Sequence, residues 1–242
     1  MPQTLLGRKI ERIAKRALPS FLTCIVMVLL ILPAWGANEE KDEETFQKAA
    51  AVLQEMLNVN NVPPDLLAKA NCVMVLPNVK KFGVGIGGSG GRGPMTCRGG
   101  EHFKGKWSAP AMFSVSGVSA GLQVGGSSSD FVLLIMSEKG LNAILKGKTK
   151  LGSDATAAAG PSGATASSVG EADVLTYGKA KGLFAGVSLG SATLEPDHDA
   201  NKRLYGKAIS AREIVLGHEV STPAGGEPLV SLLNSKAAKR GD

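Results

Sequence analysis

Two serines lie in the Gly-X-Ser-X-Gly pattern that hydrolases use for their nucleophile. They are Ser119 in residues 117–121 and Ser188 in residues 186–190. In hydrolases this serine occupies a sharp turn from a strand into a helix, with an acid and a histidine later in the chain. Glycine-rich sequence follows both serines here and favours strands, so a serine hydrolase is only the enzymatic alternative. The residues that could complete its triad are Asp173, Asp197, His198 and His218.

A glycine pattern at residues 83–88 matches the dinucleotide-binding fingerprint letter for letter. That fingerprint requires a helix directly after it, because the phosphates bind at the helix N-terminus. Residues 89–94 are Ser-Gly-Gly-Arg-Gly-Pro and cannot start a helix, so nucleotide binding is not predicted. The three histidines are scattered and show no metal-ligand spacing. We expect neither a cofactor nor a metal.

Seven lysines stand beside the glycine-rich segments and could bind anionic lipid headgroups. A lysine near a charged membrane surface contributes about 1 kcal/mol. The simpler interpretation is solubility and protection of strand edges, for which lysine is the usual residue. The sequence leaves both interpretations open. The lysines are Lys80, Lys81, Lys104, Lys106, Lys146, Lys148 and Lys150.

The first 36 residues have the three parts of a signal peptide. Basic residues precede an uncharged apolar run at residues 21–32, and a small-residue cleavage site follows at residues 34–37. The apolar run is shorter than the roughly 20 residues that span a bilayer, which argues against a membrane anchor. We therefore predict export to the periplasm, with cleavage near Gly36 or Ala37. The mature protein is expected to be soluble or peripheral on a membrane.

Cleavage would remove most of the excess positive charge. The signal segment holds five of the 27 basic residues and one of the 21 acidic residues, which leaves 22 against 20 and a net charge of about +2. A nearly neutral domain with 5% aromatic residues lacks the basic and stacking surface that nucleic acids require. No nucleic-acid partner is expected. The mature length fits a single domain at residues 37–220, followed by a flexible tail at residues 221–242.

Two cysteines remain after the predicted cleavage, Cys72 and Cys97. An even pair in an oxidising compartment can form a disulfide. Two buried thiols are the alternative, and the sequence does not decide between them.

Local patterns predict several helices. Apolar residues at helical spacing indicate an amphipathic helix over residues 39–58, and Pro63-Pro64 should open a second, short helix. Ser137 is placed to cap a third helix. Ser210 and Glu213 form a capping box that should open another short helix.

Short apolar and β-branched runs separated by glycine predict strands from Cys72 onward. The first strand should end at Pro77-Asn78, and residues 131–136 should form a buried strand. Residues 152–170 are almost wholly small and are expected to be a flexible loop. A pattern of glycine, apolar, small, apolar and glycine recurs, and we expect each copy to be a strand that bends sharply at its glycines. The copies lie at residues 83–89, 121–127 and 186–192.

Ordered motifs along residues 50–217 resemble the SYLF domain, also known as the Ysc84-type actin-regulator domain. The likeness starts at residues 75–81, which lead into 83–88, and continues through 107–111 and 181–186 to 205–206. The residues of this chain that stand at the family's motif positions are Gly83, Gly85, Gly87, Gly88, Trp107, Pro110, Gly121 and Gly186.

The resemblance implies a non-enzymatic lipid-binding domain. Eukaryotic relatives engage phosphoinositides and some bind actin, but a bacterial periplasm offers neither, so actin is not an expected partner. We expect binding to anionic phospholipid or to a membrane surface of the bacterial cell envelope. The alternative is a structural or protein-interaction module of the periplasm. The expected fold is α+β, with a curved, mainly antiparallel, glycine-rich β-sheet or barrel packed by an N-terminal amphipathic helix and several short helices.

Overall fold

A computed structural model describes residues 32–84, 86–120, 125–160, 172–180, 183–184, 189, 192–217 and 219–237 of the 242-residue chain. The chain divides into two compact units, Met1–Glu40 and Lys41–Asp242. Most of the predicted signal peptide, residues 1–31, falls outside the described residues. The sheet and the segments packed on it belong to the second unit.

Six helices lie within the described residues, and the predicted caps are present. Ser137 Oγ accepts a hydrogen bond from the Gly140 amide at 3.0 Å. Ser210 and Glu213 form the reciprocal capping box, with the Ser210 amide 2.8 Å from Glu213 Oε2 and the Glu213 amide 3.2 Å from Ser210 Oγ. The helices are α1 (Leu32–Asn58), α2 (Pro64–Lys69), α3 (Glu138–Leu145), α4 (His198–Tyr205), α5 (Ala211–Gly217) and α6 (Glu227–Lys236).

The described strands form one curled sheet in the order β5-β9-β3-β2-β1-β4-β7-β6, with β8 also paired to β7. All pairs are antiparallel except β6 with β7. The expected α+β fold with a curved, mainly antiparallel sheet is therefore confirmed. The strands are β1 (Cys72–Val84), β2 (Ile86–Cys97), β3 (Ala111–Ala120), β4 (Gly125–Ile135), β5 (Thr149–Lys150), β6 (Ala157–Ala159), β7 (Val174–Ala180), β8 (Leu183–Phe184) and β9 (Thr193–Pro196).

Helices cover both faces of the sheet. On the face called here the α3 face, buried side chains such as Met74, Phe113 and Phe131 pack against helices α3 and α5. On the opposite face, the α1 face, Val132 and Leu175 pack against helices α1, α2 and α6. Alternation along each strand sends successive residues to the two faces, so both sides bury apolar surface.

Helix α1 confirms the predicted amphipathic helix, although it starts at Leu32 rather than at residue 39. Its apolar stripe is buried against the sheet and includes Ala49, Leu53 and Met56. No described helix has the length and apolar character needed to cross a membrane.

The prediction that the first strand ends at Pro77-Asn78 is wrong. Strand β1 continues to Val84, and its register with both neighbours shifts at this point. Asn78 has φ 54°, so the backbone takes a left-handed conformation and forms a β-bulge. The bulge lets the strand pass the proline and continue in the sheet.

The prediction of a single strand at residues 83–89 is also wrong. Gly83 pairs with Gly87 and Val84 pairs with Ile86, so this glycine motif lies across the β1–β2 hairpin. The copy at 121–127 includes the first residues of β4 but is described only from residue 125. Most of the copy at 186–192 lies outside the described residues.

The predicted flexible tail at residues 221–242 is wrong for residues 221–237. A short 3-10 turn, Ala224–Gly226, leads into α6, which buries Leu229, Val230 and Leu233 against the α1 face. Apolar residues at helical spacing after Pro228 explain why this segment packs. The predicted loop at 152–170 also contains strand β6, while residues 161–170 lie outside the described residues.

Candidate functional site

The sheet has one end that is rich in glycine and serine. We call it the glycine end, and it consists of residues 79–84 and 86–91 of the first hairpin and residues 115–120 and 125–129 of β3 and β4. The opposite end of these strands carries the helices and is called the disulfide end. Residues 79–91 and 115–129 contain two charged side chains, both lysines, and no Asp or Glu.

Strand pairing places residues of the glycine end in rows across the sheet. Lys80 of β1 is opposite Gly90 of β2 and Ser128 of β4, and Gly90 is opposite Ser116 of β3. The row continues through Thr193 of β9 to Lys150 of β5. Directly paired residues point to the same face, so Lys80 and Lys150 share a face roughly 20 Å apart along the curl.

This row lies on the α1 face, beyond the part that helix α1 covers. Val79, the residue before Lys80, is buried in the cluster of the α3 face, so Lys80 points to the other side. Helix α1 reaches the sheet through an ion pair between Glu55 and Lys179 of β7. Lys179 is opposite Asp130 of β4, and past this row the face is exposed.

A second row carries exposed apolar side chains. Phe82 of β1 and Gly126 of β4 are opposite each other, and Gly88 of β2 lies between Phe82 and Val118 of β3. Phe82 is 67% exposed and Val118 is 80% exposed. A Cβ on Gly88 would be 3.6 Å from the Phe82 ring, so the ring extends over this glycine toward Val118.

The structure does not bring the seven predicted lysines together. Lys81 faces away from Lys80 and places its Nζ 5.8 Å from the ring centroid of Phe131, a cation–π contact on the α3 face. Lys104 and Lys106 follow Cys97, at the disulfide end of β2. They are therefore roughly 25 Å along the strand from the Lys80 row.

The remaining predicted lysines, Lys146, Lys148 and Lys150, lie at the edge of the sheet between α3 and β5. Lys148 Nζ is 3.8 Å from Glu195 Oε2 on β9, which partly neutralises it. Lys146 and Lys150 are exposed. Of the seven lysines, Lys80 and Lys150 share one uncovered row of the sheet.

Cys72 and Cys97 are directly opposite each other at the disulfide end of β1 and β2. They form a disulfide whose Cα atoms are 4.0 Å apart. Both residues are fully buried in the cluster of the α3 face. Of the two alternatives that the sequence left open, the structure contains the disulfide.

Two of the family-motif residues, Trp107 and Pro110, lie at the disulfide end and make contacts that stabilise it. The Trp107 ring lies under the Arg98 guanidinium, 4.4 Å from its centroid, and both side chains are buried. The Pro110 carbonyl accepts a hydrogen bond from Tyr205 Oη at 2.6 Å. Burial raises the pKa of that tyrosine, so it stays a neutral donor. Gly83, Gly87 and Gly88 lie in the glycine end, and Gly85, Gly121 and Gly186 lie outside the described residues.

The described residues do not assemble a hydrolase triad around Ser119. This serine lies in β3 opposite Gly87. His102 follows the far end of β2, roughly 30 Å along the strand from that position. His198 follows Pro196, which is opposite Phe113, roughly 20 Å from Ser119 along β3. Ser188 and His218 lie outside the described residues.

The two proposed acids of the triad have other partners. Asp197 Oδ1 accepts a hydrogen bond from the Ala200 amide at 3.0 Å and caps α4. Its second oxygen is 2.7 Å from Arg92 Nε. Asp173 accepts hydrogen bonds from the hydroxyls of Ser137 and Thr156. Both carboxylates therefore hold secondary-structure elements together.

Sequence reasoning missed an ionic cluster at the start of the second unit. The fully buried side chain of Asp42 lies 2.8 Å from Arg92 Nη2 and 2.8 Å from Arg203 Nη2, and Arg92 also pairs with Asp197. The cluster ties helix α1 to β2 and α4. Breaking a buried pair of this kind costs roughly 3 kcal/mol or more. These residues are far apart in sequence, so no local signal could have found them.

Phe82 and Val118 were also missed, although a signal existed. Lys80 and Phe82 are two positions apart in a strand, which puts them on one face by the period of two. The strand had been expected to stop before Lys80. Because this end of the strand was predicted wrongly, the face of the sheet that carries Lys80 and Phe82 could not be assigned.

The comparisons with known proteins identify a family. The family model described as Ysc84, Las17-binding protein actin regulator, matches residues 116–236. The chain is 36% identical over 190 residues to SH3 domain-containing protein PJ696.02 of Schizosaccharomyces pombe, covering 75% of this chain and 43% of that protein. It is 35% identical over 206 residues to Protein YSC84 of Saccharomyces cerevisiae, covering 79% and 43%.

A mammalian relative shows the same pattern. SH3 domain-containing YSC84-like protein 1 of Mus musculus is 34% identical over 205 residues, which cover 80% of this chain and 59% of that protein. The chain thus matches only about half of the length of these relatives. Because the family model matches half of the chain and the relatives match most of it, this chain belongs to the Ysc84 (SYLF) domain family.

Proposed function

We propose that this chain is an exported, non-enzymatic protein that lies on anionic phospholipid surfaces of the bacterial cell envelope. The observation that carries the proposal is the uncovered row on the α1 face, where Lys80 and Lys150 stand among serine, threonine and glycine. The glycine end has no acidic residue in its hairpin segments. On the Lys80 side this face of the curled sheet is complementary to phosphate headgroups, whereas Lys150 has the carboxylate of Asp154 next to it.

The geometry suits a surface better than a single headgroup. Lys80 and Lys150 are roughly 20 Å apart along the sheet, which exceeds the reach of one lipid phosphate. Each lysine near an anionic leaflet contributes about 1 kcal/mol. Ser116 is exposed in the same row, two strands from Lys80, and offers a hydroxyl donor to a phosphate. The Ser128 hydroxyl, opposite Lys80 on the other side, donates to Asn78 Oδ1. Lys104 and Lys106 lie at the other end of the sheet and are not part of this proposal.

The proposal excludes catalysis and actin binding for this chain. The separation of Ser119 from His102 and His198 supports the absence of a serine hydrolase site among the described residues. The family description names Las17 binding and actin regulation. The predicted export signal would place this chain where neither partner occurs, and we therefore propose the lipid surface as its partner.

The test is cosedimentation of the protein with phosphatidylglycerol vesicles and with phosphatidylcholine vesicles, at low and at high salt. Wild type should bind the anionic vesicles, and salt should weaken this binding. The double substitution Lys80→Glu with Lys150→Glu should reduce the affinity at least roughly 30-fold, because two contributions of about 1 kcal/mol are lost and repulsion is added.

The matched control is Lys104→Glu with Lys106→Glu, which changes the net charge by the same amount at the disulfide end. It should bind almost as wild type does. Equal losses in the two double variants would contradict the site. Equal binding of wild type to the two kinds of vesicle would contradict the function. Thermal unfolding of each variant would show that the fold is retained.

A protein partner in the envelope is the second candidate function. Helices α3 and α5 fill the α3 face of the sheet. This face therefore stabilises the fold and is not open to a lipid chain, which favours a protein partner. Native mass spectrometry of protein purified from its own cells separates the two candidates, because a co-purifying lipid supports the first and a stoichiometric protein the second.

A further inference from the structure

We infer that Phe82 and Val118 form an insertion patch that enters the acyl boundary of an anionic leaflet while Lys80 stays at the headgroups. This inference rests on the proposed function and names the part of the glycine end that penetrates. Large apolar side chains are exposed at three of the described positions, Val59, Phe82 and Val118. Two of the three share one row and one face of the sheet.

The patch is continuous because a glycine separates its two members. Phe82 and Val118 are each opposite Gly88. Strands β1 and β3 are roughly 10 Å apart, and a side chain on the intervening strand would stand between them. Gly88 has none, and the Phe82 ring reaches to 3.6 Å from the point where a Cβ would lie. The ring therefore extends the apolar surface across β2.

Lys80 is placed to act with the patch. It precedes Phe82 by two positions on the same face, roughly 7 Å along the strand. A lysine at this distance keeps its ammonium among phosphates while a neighbouring ring lies deeper, and its aliphatic stem adds apolar contact. Lys81 points to the opposite face, toward Phe131. The charge of Lys81 therefore lies on the other side of the sheet from the insertion patch.

The sheet holds the patch in position before binding. Phe82 lies in β1, which is paired on both sides, with β2 and with β4. Val118 lies in β3, paired with β2. Side chains fixed on a paired strand lose little backbone entropy when they enter a membrane. The cost of insertion is thus smaller than for a loop of the same composition.

A second copy of the chain fits this surface less well than a leaflet does. A second copy would bring its own lysines to the contact, and residues 79–91 and 115–129 contain no Asp or Glu to pair with Lys80. Two side chains also supply far less area than the roughly 800 Å² per partner of a stable interface. An anionic leaflet accepts both the charge and the apolar groups.

The experiment uses Phe82→Trp and, as a control, Val59→Trp, in which the introduced ring is exposed in the turn after α1. Fluorescence is recorded with phosphatidylglycerol vesicles whose chains are brominated near the headgroup or near the chain end. The expected result is a blue shift and strong quenching by the shallow bromines for the variant at position 82. The variant at position 59 should show neither.

A second measurement gives the contribution of the two side chains to the free energy of membrane binding. Phe82→Ser with Val118→Ser should lower the affinity for phosphatidylglycerol vesicles roughly tenfold or more, whereas Val59→Ser should leave it unchanged. Circular dichroism and unfolding midpoints check that the variants fold.

The possible failures are distinguishable. Wild type that binds these vesicles in a Lys80-dependent way, with no shift or quenching at position 82, would overturn the insertion patch and leave the proposed function standing. Wild type that ignores the vesicles would overturn both. Concentration-dependent dimers in sedimentation that are lost in Phe82→Ser would instead assign the patch to self-association and also overturn the inference.

Discussion

The two ends of the same four strands differ in how they are held. At the disulfide end, β1 and β4 are buried on both faces, helices pack on each side, and Cys72 is bonded to Cys97. At the glycine end the strands continue, but none of the described helices packs on the α1 face there, and Phe82 and Val118 are exposed. The difference indicates that stability is concentrated at one end, while the α1 face of the other end leaves large apolar side chains exposed.

Removal of the disulfide should have the largest effect on this difference between the two ends. Its removal by Cys72→Ala with Cys97→Ala should destabilise the protein by about 3.5 kcal/mol, the value expected from chain entropy for a loop closed between residues 25 positions apart. Urea unfolding should give the same free energy of unfolding for reduced wild type and for the variant, and a higher value for oxidised wild type.

Vesicle binding of folded variant protein should remain as in wild type, because the bond lies at the opposite end from Lys80. A variant that stays as stable as oxidised wild type would show that packing alone holds the disulfide end. A variant that folds but loses vesicle binding would show that the two ends are coupled.

Two glycines of β2 sharpen the comparison within one strand. A Cβ on Gly93 would lie 1.9 Å from the Val75 carbonyl oxygen, whereas a Cβ on Gly90 would meet its nearest atom at 3.9 Å. Gly93→Ala should therefore cost about 3 kcal/mol through overpacking against backbone. Gly90→Ala should be neutral or stabilise by up to about 1 kcal/mol, because the unfolded chain loses freedom.

Chemical denaturation of the two variants measures this difference directly. Similar losses in both would mean that the α1 face of the glycine end, to which Gly90 belongs, is packed as tightly as the rest of the strand. The conclusion that stability is concentrated at one end would then be wrong.

Local signals were sufficient for much of this fold. The apolar stripe of α1, the Ser137 cap and the capping box at Ser210 and Glu213 depend on residues within one or two helical turns, and all three are present. Helix α6 also had a local signal in Leu229, Val230 and Leu233 after Pro228. The expectation of a flexible tail did not use this signal.

The hairpin and the site depended on non-local pairing. Alternation along residues 83–89 is the same whether the chain continues or turns back, because a period of two does not record direction. Likewise, the seven lysines were predicted to bind headgroups because they are close to glycines in the sequence. That Lys80 and Lys150 share a row follows only from the order β1-β2-β3-β9-β5, which no local pattern contains.

Asp173 provides the smallest and most local test of the disulfide end. Burial by itself raises the pKa of this carboxyl, but hydrogen bonds from Ser137 Oγ and from the hydroxyl and amide of Thr156 outweigh it and hold the pKa below its ordinary value. These bonds join the N-terminus of α3 and the start of β6 to β7. The glycine end has no equivalent carboxylate in its hairpin segments.

Because the pKa of Asp173 is lower in the folded state than in the unfolded state, its contribution is present above the unfolded value and is lost as the pH falls through the folded value. Stability measured by urea unfolding should therefore decrease in the acid range below about pH 4. Asp173→Asn should cost about 1 kcal/mol at neutral pH, since one amide group cannot accept from all three donors. It should also flatten the acid dependence, and an unchanged slope in the variant would assign the acid sensitivity to other carboxylates.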